Sequence, residues 1–179
     1  MRIIAGRHGG RRLAAPRSLL TRPTADRVKE ALFSILPDLE GARVLDLYSG
    51  TGALALEAIS RGASSAVCVE SARRAAAIIL ENAESLCETE RVRLVTDSVE
   101  KTIGRIEGPF DLIVADPPWD LAAKAAPMIF DAASRILATT GLLVIEHGFR
   151  APLPDPPAAF ERKDLRRYGD TALAFFTLR

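Results

Sequence analysis

The sequence predicts a doubly wound α/β fold, a mostly parallel sheet with helices on both faces. Three observations point there. Short runs that are nearly all apolar, such as VRLVTD and FDLIVAD, alternate with longer stretches of helical periodicity, the pattern of parallel strands buried on both sides. A glycine loop, SGTG, leads straight from the first of those strands into a helix. The chain closes on two β-rich runs around Gly169 and Asp170, which read as an antiparallel hairpin at the sheet edge. At 179 residues the chain is expected to form one globular unit, with residues 1–23 as a basic extension and 24–179 as the main domain.

The elements follow in order. Residues 2–15 read as two short strands around a glycine-rich turn, a basic N-terminal β-hairpin, and 16–23 as a basic loop between Pro16 and Pro23. Thr24 is placed to cap a helix in which Val28, Leu32, Ile35 and Leu36 form an apolar stripe, ended by Pro37 and Gly41. Residues 42–48 make a strand, and 52–62 a helix closed by Gly62. Then come a strand at 66–70, an Ala-rich helix at 72–86, a strand at 92–97 and a short helix at 99–106. Residues 110–116 are a strand and 123–137 a helix, in which Pro127 fits only near the start or at a kink. The last parallel strand is 141–147.

Composition narrows the function. The chain is 48% hydrophobic and 26% charged, with net charge +1, so it is globular and near neutral. The charge is unevenly spread. Arg2, Arg7, Arg11, Arg12, Arg17, Arg22, Arg27 and Lys29 face a single acid, Asp26, in the same stretch, and Arg162, Lys163, Arg166 and Arg167 form a second cluster. Such asymmetry fits a polyanionic partner, with Arg11, Arg12, Arg17 and Arg22 as phosphate contacts. Cys68 and Cys87 suit neither a metal site nor a disulfide framework and are expected to be reduced, structural thiols. His8 and His147 are too few for a metal cluster, so no metal is expected. Neither a secretory signal nor a membrane span is recognisable, which predicts a cytoplasmic protein away from membranes.

The candidate site lies along one edge. Asp46, Glu70, Asp97 and Asp116 fall at the carboxyl ends of four consecutive strands, where ligands of open α/β sheets bind. Gly50 and Gly52 let the backbone turn sharply beside a helix N-terminus. The spacing Gly50-x-Gly52-x-x-Ala55, with Glu70 twenty residues on, also satisfies a dinucleotide-binding fingerprint, so a nicotinamide or flavin enzyme is a real alternative. Asp46 weighs against it, because an acid before the loop suits an amine or sulfonium and repels a pyrophosphate. The lack of a separate substrate domain also counts against it. Glu70 is placed to accept two ribose hydroxyls, and Asp97 an adenine amino group. The stretch VADPPWD then joins an acid, a rigid double proline and the single Trp, expected to be half exposed.

These residues resemble a known group. D46-x-x-x-G50-x-G52, Glu70, Asp97 and D116-P-P-W119 look like the ordered motifs of class I S-adenosylmethionine-dependent methyltransferases, whose [DN]-P-P-[FYW] branch methylates exocyclic or amide nitrogens. R22-P-T-x-D26-R27-V-K-E-A-L-F33 and the run from Asp46 to Ala63 are similar to the RsmD family, bacterial enzymes that methylate N2 of a guanine in small-subunit (16S) ribosomal RNA. The resemblance spans nearly the whole chain. It implies a Rossmann-like methyltransferase sheet, with S-adenosylmethionine contacts at Asp46, Tyr48, Gly50, Gly52, Glu70 and Asp97. It also implies a target-base site at Asp116, Pro117 and Trp119, and Arg22 and Thr24 beside the site's mouth. Trp119 stands where the family more often has Phe or Tyr. Ribosomal RNA, within the small subunit, is the implied partner, and the enzyme is expected to act as a monomer. The rivals are an adenine-N6 DNA or RNA methyltransferase, a protein-glutamine methyltransferase, a nucleotide-cofactor oxidoreductase, and a non-catalytic RNA-binding protein with a relic pocket.

Overall fold

A computed structural model describes residues 1–16 and 23–179 of the chain. The first helix is α1 (Pro23–Ile35). Thereafter strand and helix alternate: β1 (Arg43–Leu47), α2 (Ala53–Ser60), β2 (Ser65–Val69), α3 (Arg73–Ser85), β3 (Val92–Val95), α4 (Val99–Thr102), β4 (Phe110–Ala115), α5 (Trp119–Ile136) and β5 (Leu137–Gly148). The hairpin β6 (Phe160–Tyr168) and β7 (Thr171–Leu178) completes the chain. The seven strands run in the order β3-β2-β1-β4-β5-β7-β6. β1 to β5 are parallel, and β7 lies antiparallel between β5 and β6.

Successive side chains along each strand enter two different cores. Val44, Leu112 and Val114 join Leu56, Ile59 and Ile79 of the α2 and α3 layer, together with Val28, Leu32 and Phe33 of α1. Leu45, Leu47, Ile113 and Ala115 join Ile129, Phe130 and Ile136 of α5. Burial on both faces is why these strands read as unbroken apolar runs. The hairpin is locked to the second layer by aromatic packing, Phe130 lying 4.9 Å edge-on to Phe176 and 5.2 Å from Phe160.

Four expectations change. Residues 2–15 turn back on themselves but pair only briefly, through one antiparallel bridge, Arg2 with Arg12, with the Ile3 N–H donating to the Arg11 carbonyl at 2.9 Å and the Leu13 N–H to the Met1 carbonyl at 3.2 Å. The reason is a competing acceptor. The Ile4 and Ala5 N–H groups donate to the two oxygens of Glu57, at 2.7 and 3.1 Å, instead of to a strand. Helix α1 begins at Pro23, so Thr24 sits inside the first turn rather than capping it; proline suits that position because its missing N–H would go unpaired there anyway. Helix α5 starts at Trp119, and Pro127 falls mid-helix on its solvent face. Cys87 is exposed and holds φ 58 just past α3, a left-handed position more usual for glycine.

The N-terminal segment is built into the core. Ile3 and Leu13 are buried, and Glu57, fully enclosed in α2, binds the segment to the body. Its carboxylate also meets Arg61 Nε at 2.8 Å and Lys29 Nζ at 3.4 Å, and Lys29 donates in turn to the Arg2 carbonyl. Ser60 adds three bonds. Its hydroxyl donates to the Ala5 carbonyl (2.6 Å) and accepts from the His8 N–H (3.0 Å), and its carbonyl accepts from the Arg7 N–H (2.8 Å). Replacing Glu57 by Ala strips a buried ammonium of its carboxylate and two backbone donors of their acceptor. Urea unfolding of Glu57→Ala is expected to show a loss of about 3–5 kcal/mol. A loss under ~1 kcal/mol would contradict this account of the segment.

Candidate active site

The parallel register sets the site. β3, β2, β1 and β4 are neighbours pointing the same way, so the four acids meet on one edge. Asp46 pairs across the sheet with Cys68 and Val114 and lies one residue inside the end of β1. Glu70 is the first residue beyond β2 and Asp116 the first beyond β4, whereas Asp97 lies two beyond β3.

The loop after β1 turns on three left-handed residues, Tyr48 (φ 62), Gly50 (φ 55) and Gly52 (φ 75). Only glycine holds such a conformation without strain. Gly52 is needed for space as well, since a Cβ there would lie 3.2 Å from Ile79 Cγ2. Ser49 pins the turn, its hydroxyl donating to the Asp46 carbonyl (2.5 Å) and its N–H to the Val69 carbonyl (3.0 Å). Glu70 reaches over from β2. Its two oxygens accept the Gly50 N–H at 2.8 Å and the Ala72 N–H at 2.7 Å, so the acid and the loop form one frame.

Asp46 lies under that frame, only 1% exposed. One oxygen accepts the Ala55 N–H of α2 at 3.1 Å; the other has no hydrogen-bond partner among the described residues. Burial pushes the carboxyl up to about 7 from 3.8, opposed by the Ala55 bond and reinforced by the charges of Asp116 and Glu70. A buried, half-satisfied carboxylate with acidic neighbours is an environment that a cation relieves. The residues present therefore fit a cationic ligand.

The other predicted contacts divide. Asp97 is half exposed, accepts the Ser98 N–H (2.7 Å) and pairs with Lys101 at 3.7 Å, at the entrance to α4. The Tyr48 hydroxyl donates to Glu100 at 3.0 Å, and burial, followed by that partner, raises the phenol above its ordinary range. Asp116 is exposed, and its N–H extends the ladder to the Leu47 carbonyl at 3.2 Å. Pro117 is buried. Pro118 caps α5, its carbonyl accepting the Leu121 and Ala122 N–H groups at 2.8 and 3.0 Å. No N–H among the described residues donates to the Pro117 carbonyl. Trp119, 43% exposed as expected, opens α5 with its ring against Gly148. A cavity of about 390 Å³ beside it is lined by Trp119, Asp120, Gly148, Arg150, Ala151 and Asp170. Another of similar volume, around Pro37 to Ala42, lies at the opposite edge, away from the acids.

Of the predicted RNA contacts, Arg11 and Arg12 are exposed on the N-terminal segment, Arg11 donating to the Ser85 carbonyl at 2.7 Å. Arg17 and Arg22 lie outside the described residues, and Thr24 is in the first turn of α1. One residue went unread. Asn82, buried in α3, accepts the Ala14 N–H (2.7 Å) and donates to the carbonyls of Ala14 (3.1 Å) and Thr51 (3.0 Å). It joins the N-terminal segment to the glycine loop. An amide on the stripe Ala76, Ile79, Asn82, Ala83 was the available signal, since buried amides are kept only where bonded.

The mostly parallel sheet with its reversed final strand, and the acids spaced along its carboxyl edge around a glycine loop, belong to a chain that is similar to known methyltransferases. The family model described as Conserved hypothetical protein 95 matches residues 1–177. Ribosomal RNA small subunit methyltransferase D of Escherichia coli is 34% identical over 161 residues, covering 88% of this chain and 80% of that protein. The Bacillus subtilis protein YlbH is 31% identical over 183 residues, covering 100% of both chains. The solved structure of yhhF from Escherichia coli superposes with a TM-score of 0.87 at 29% identity, covering 100% of this chain and 98% of that one. The chain belongs to the RsmD family.

The pH response of the fold reports on Asp46. Its folded carboxyl holds a proton up to about 7, while the unfolded one releases it near 3.8. The stabilisation is therefore full below 3.8 and is lost as pH rises through 7. In thermal melts, the stability of Asp46→Asn relative to the wild type should increase from pH 5 to pH 8. A constant offset would contradict the assignment.

Proposed function

We propose that the protein transfers a methyl group from S-adenosylmethionine to the exocyclic N2 of a guanine in small-subunit ribosomal RNA. The observation that carries this reading is the junction at Asp116. A carboxylate, a carbonyl left outside ladder and helix, and a half-exposed indole meet one strand away from the glycine loop. Family membership and the name of the Escherichia coli relative support ribosomal RNA as the substrate.

Asp46, Tyr48, Gly50, Gly52, Glu70 and Asp97 are the residues that would hold S-adenosylmethionine. Bound there, it supplies a methyl group already activated by a sulfonium charge. The chain's own residues must make a poor nucleophile react, because the guanine N2 lone pair is delocalised into the ring. Asp116 and the Pro117 carbonyl each accept one N–H of the amino group, which draws the nitrogen towards a tetrahedral shape and turns its lone pair outward. Trp119 stacks on the base, worth ~1–3 kcal/mol. The target must leave its own stack to reach this edge. As charge develops on N2, Asp116 offsets it across a short distance. Alignment supplies much of the rate, since the donor needs no further activation.

Arg11, Arg12, Arg17 and Arg22 of the extension 1–23, together with Thr24 at the start of the main domain, contact the RNA backbone, so binding should weaken with salt. The small ribosomal subunit is the setting in which that RNA is met.

The test offers radiolabelled S-adenosylmethionine with ribosomal RNA, small subunits or DNA in parallel. Label is expected in the RNA or the subunits; label confined to DNA, or none at all, would refute the proposal. In Asp116→Ala, transfer should fall about 10²-fold or more while cofactor affinity holds. Equal loss of both would mean that Asp116 belongs to the cofactor site instead.

A further inference from the structure

Trp119 is not alone at its end of the sheet. It packs so closely on Gly148 that a Cβ there would lie 3.3 Å from Trp119 Cε3. The next residue, Phe149, is 38% exposed, and the Arg167 guanidinium carbon lies over its ring, 3.9 Å from the centroid. Both partners are held in place. Arg167 Nε donates to the Gly169 carbonyl (2.8 Å), and the Phe149 N–H donates to the Asp170 carbonyl (2.7 Å). Beneath them the Ala151 N–H donates to the Gly148 carbonyl at 2.9 Å, and buried His147 places Nδ1 2.9 Å from that same carbonyl. The end of β5 and the β6–β7 turn thus form one rigid corner beside Trp119.

The sequence marks a basic cluster here, and its members differ. Lys163 meets Glu161 at 2.7 Å and Arg166 meets Asp164 at 2.6 Å, so both are paired with acids along β6. Arg167 is stacked on a ring instead, at the corner nearest the candidate site. Its flat cation is exposed, and a guanidinium both stacks and donates in plane.

We infer that Phe149 and Arg167, with Arg150, form a second RNA subsite, in which the Arg167 plane stacks on a base flanking the target nucleotide. This rests on the function proposed above. Charge favours a base over a bare phosphate. The cavity between Trp119 and the corner carries Arg150, but also Asp120 and Asp170. Those carboxylates would repel a phosphate, whereas they accept the N–H and amino groups on the edge of a base. A neighbour is the occupant because extracting the target breaks its stacking, and a fixed platform beside Trp119 restores a partner to the adjoining base.

The test is steady-state methylation of small subunits or 16S ribosomal RNA by the wild type, Phe149→Ala, Arg167→Ala and Arg167→Lys, each checked for folding by thermal melting. All three variants should raise KM for RNA about tenfold, ~1.4 kcal/mol, with affinity for S-adenosylmethionine unmoved. Unchanged KM in Phe149→Ala and Arg167→Ala would overturn the subsite alone. Full recovery in Arg167→Lys would overturn the stacking role, because lysine keeps the charge without the plane. No transfer by the wild type would overturn the function and the subsite together.

Discussion

Acids stand at the ends of four adjacent parallel strands, and the candidate site is arranged around the repulsion that Asp46 meets from Asp116 and Glu70. Each acid is eased differently. Glu70 lies across two backbone N–H groups, Asp97 sits against Ser98 and Lys101, and Asp116 faces solvent. Asp46 has the least relief, buried with one oxygen bonded and Glu70 and Asp116 close enough to raise its pKa. The fold tolerates this arrangement because two ample apolar cores hold the sheet from both faces. The instability concentrated at Asp46 is what a bound cation would remove.

The polar groups behind the sheet serve the site indirectly. Glu57 and Ser60 hold the N-terminal segment through its backbone, which leaves Arg11 and Arg12 outside. Asn82 bonds the same segment and the carbonyl of Thr51 in the glycine loop. The segment that carries the basic charge and the glycine loop are therefore tied to one buried amide. Backbone bonding also explains why Gly6 has no substitute there: a Cβ would lie 1.9 Å from the Ser60 carbonyl oxygen.

The parallel core was legible because burial on both faces writes itself as continuous apolar runs, and the hairpin because Gly169 and Asp170 mark its turn. The acids were legible as strand-end residues once the strands were placed. What the sequence hid were choices between competing hydrogen-bond partners. Residues 2–15 have the composition of a hairpin, yet the Ile4 and Ala5 N–H groups leave the pairing for Glu57, an acceptor more than fifty positions away. The double proline suggested a rigid turn ahead of a helix at 123–137, whereas Pro118 caps α5 and makes Trp119 its first residue. That fixes the indole against Gly148, a more rigid placement than a loop would give. Asn82 escaped notice because an amide within an Ala-rich stripe looks like ordinary helix surface until its partners are known.

The central claim is that Asp116, Pro117 and Trp119 present the exocyclic amine of a guanine to the methyl donor. Nuclease digestion of small-subunit RNA after reaction, followed by mass spectrometry of the nucleosides, addresses it most directly. The account predicts N2-methylguanosine as the product. N6-methyladenosine, or a methyl group on a ring nitrogen or ribose, would contradict it.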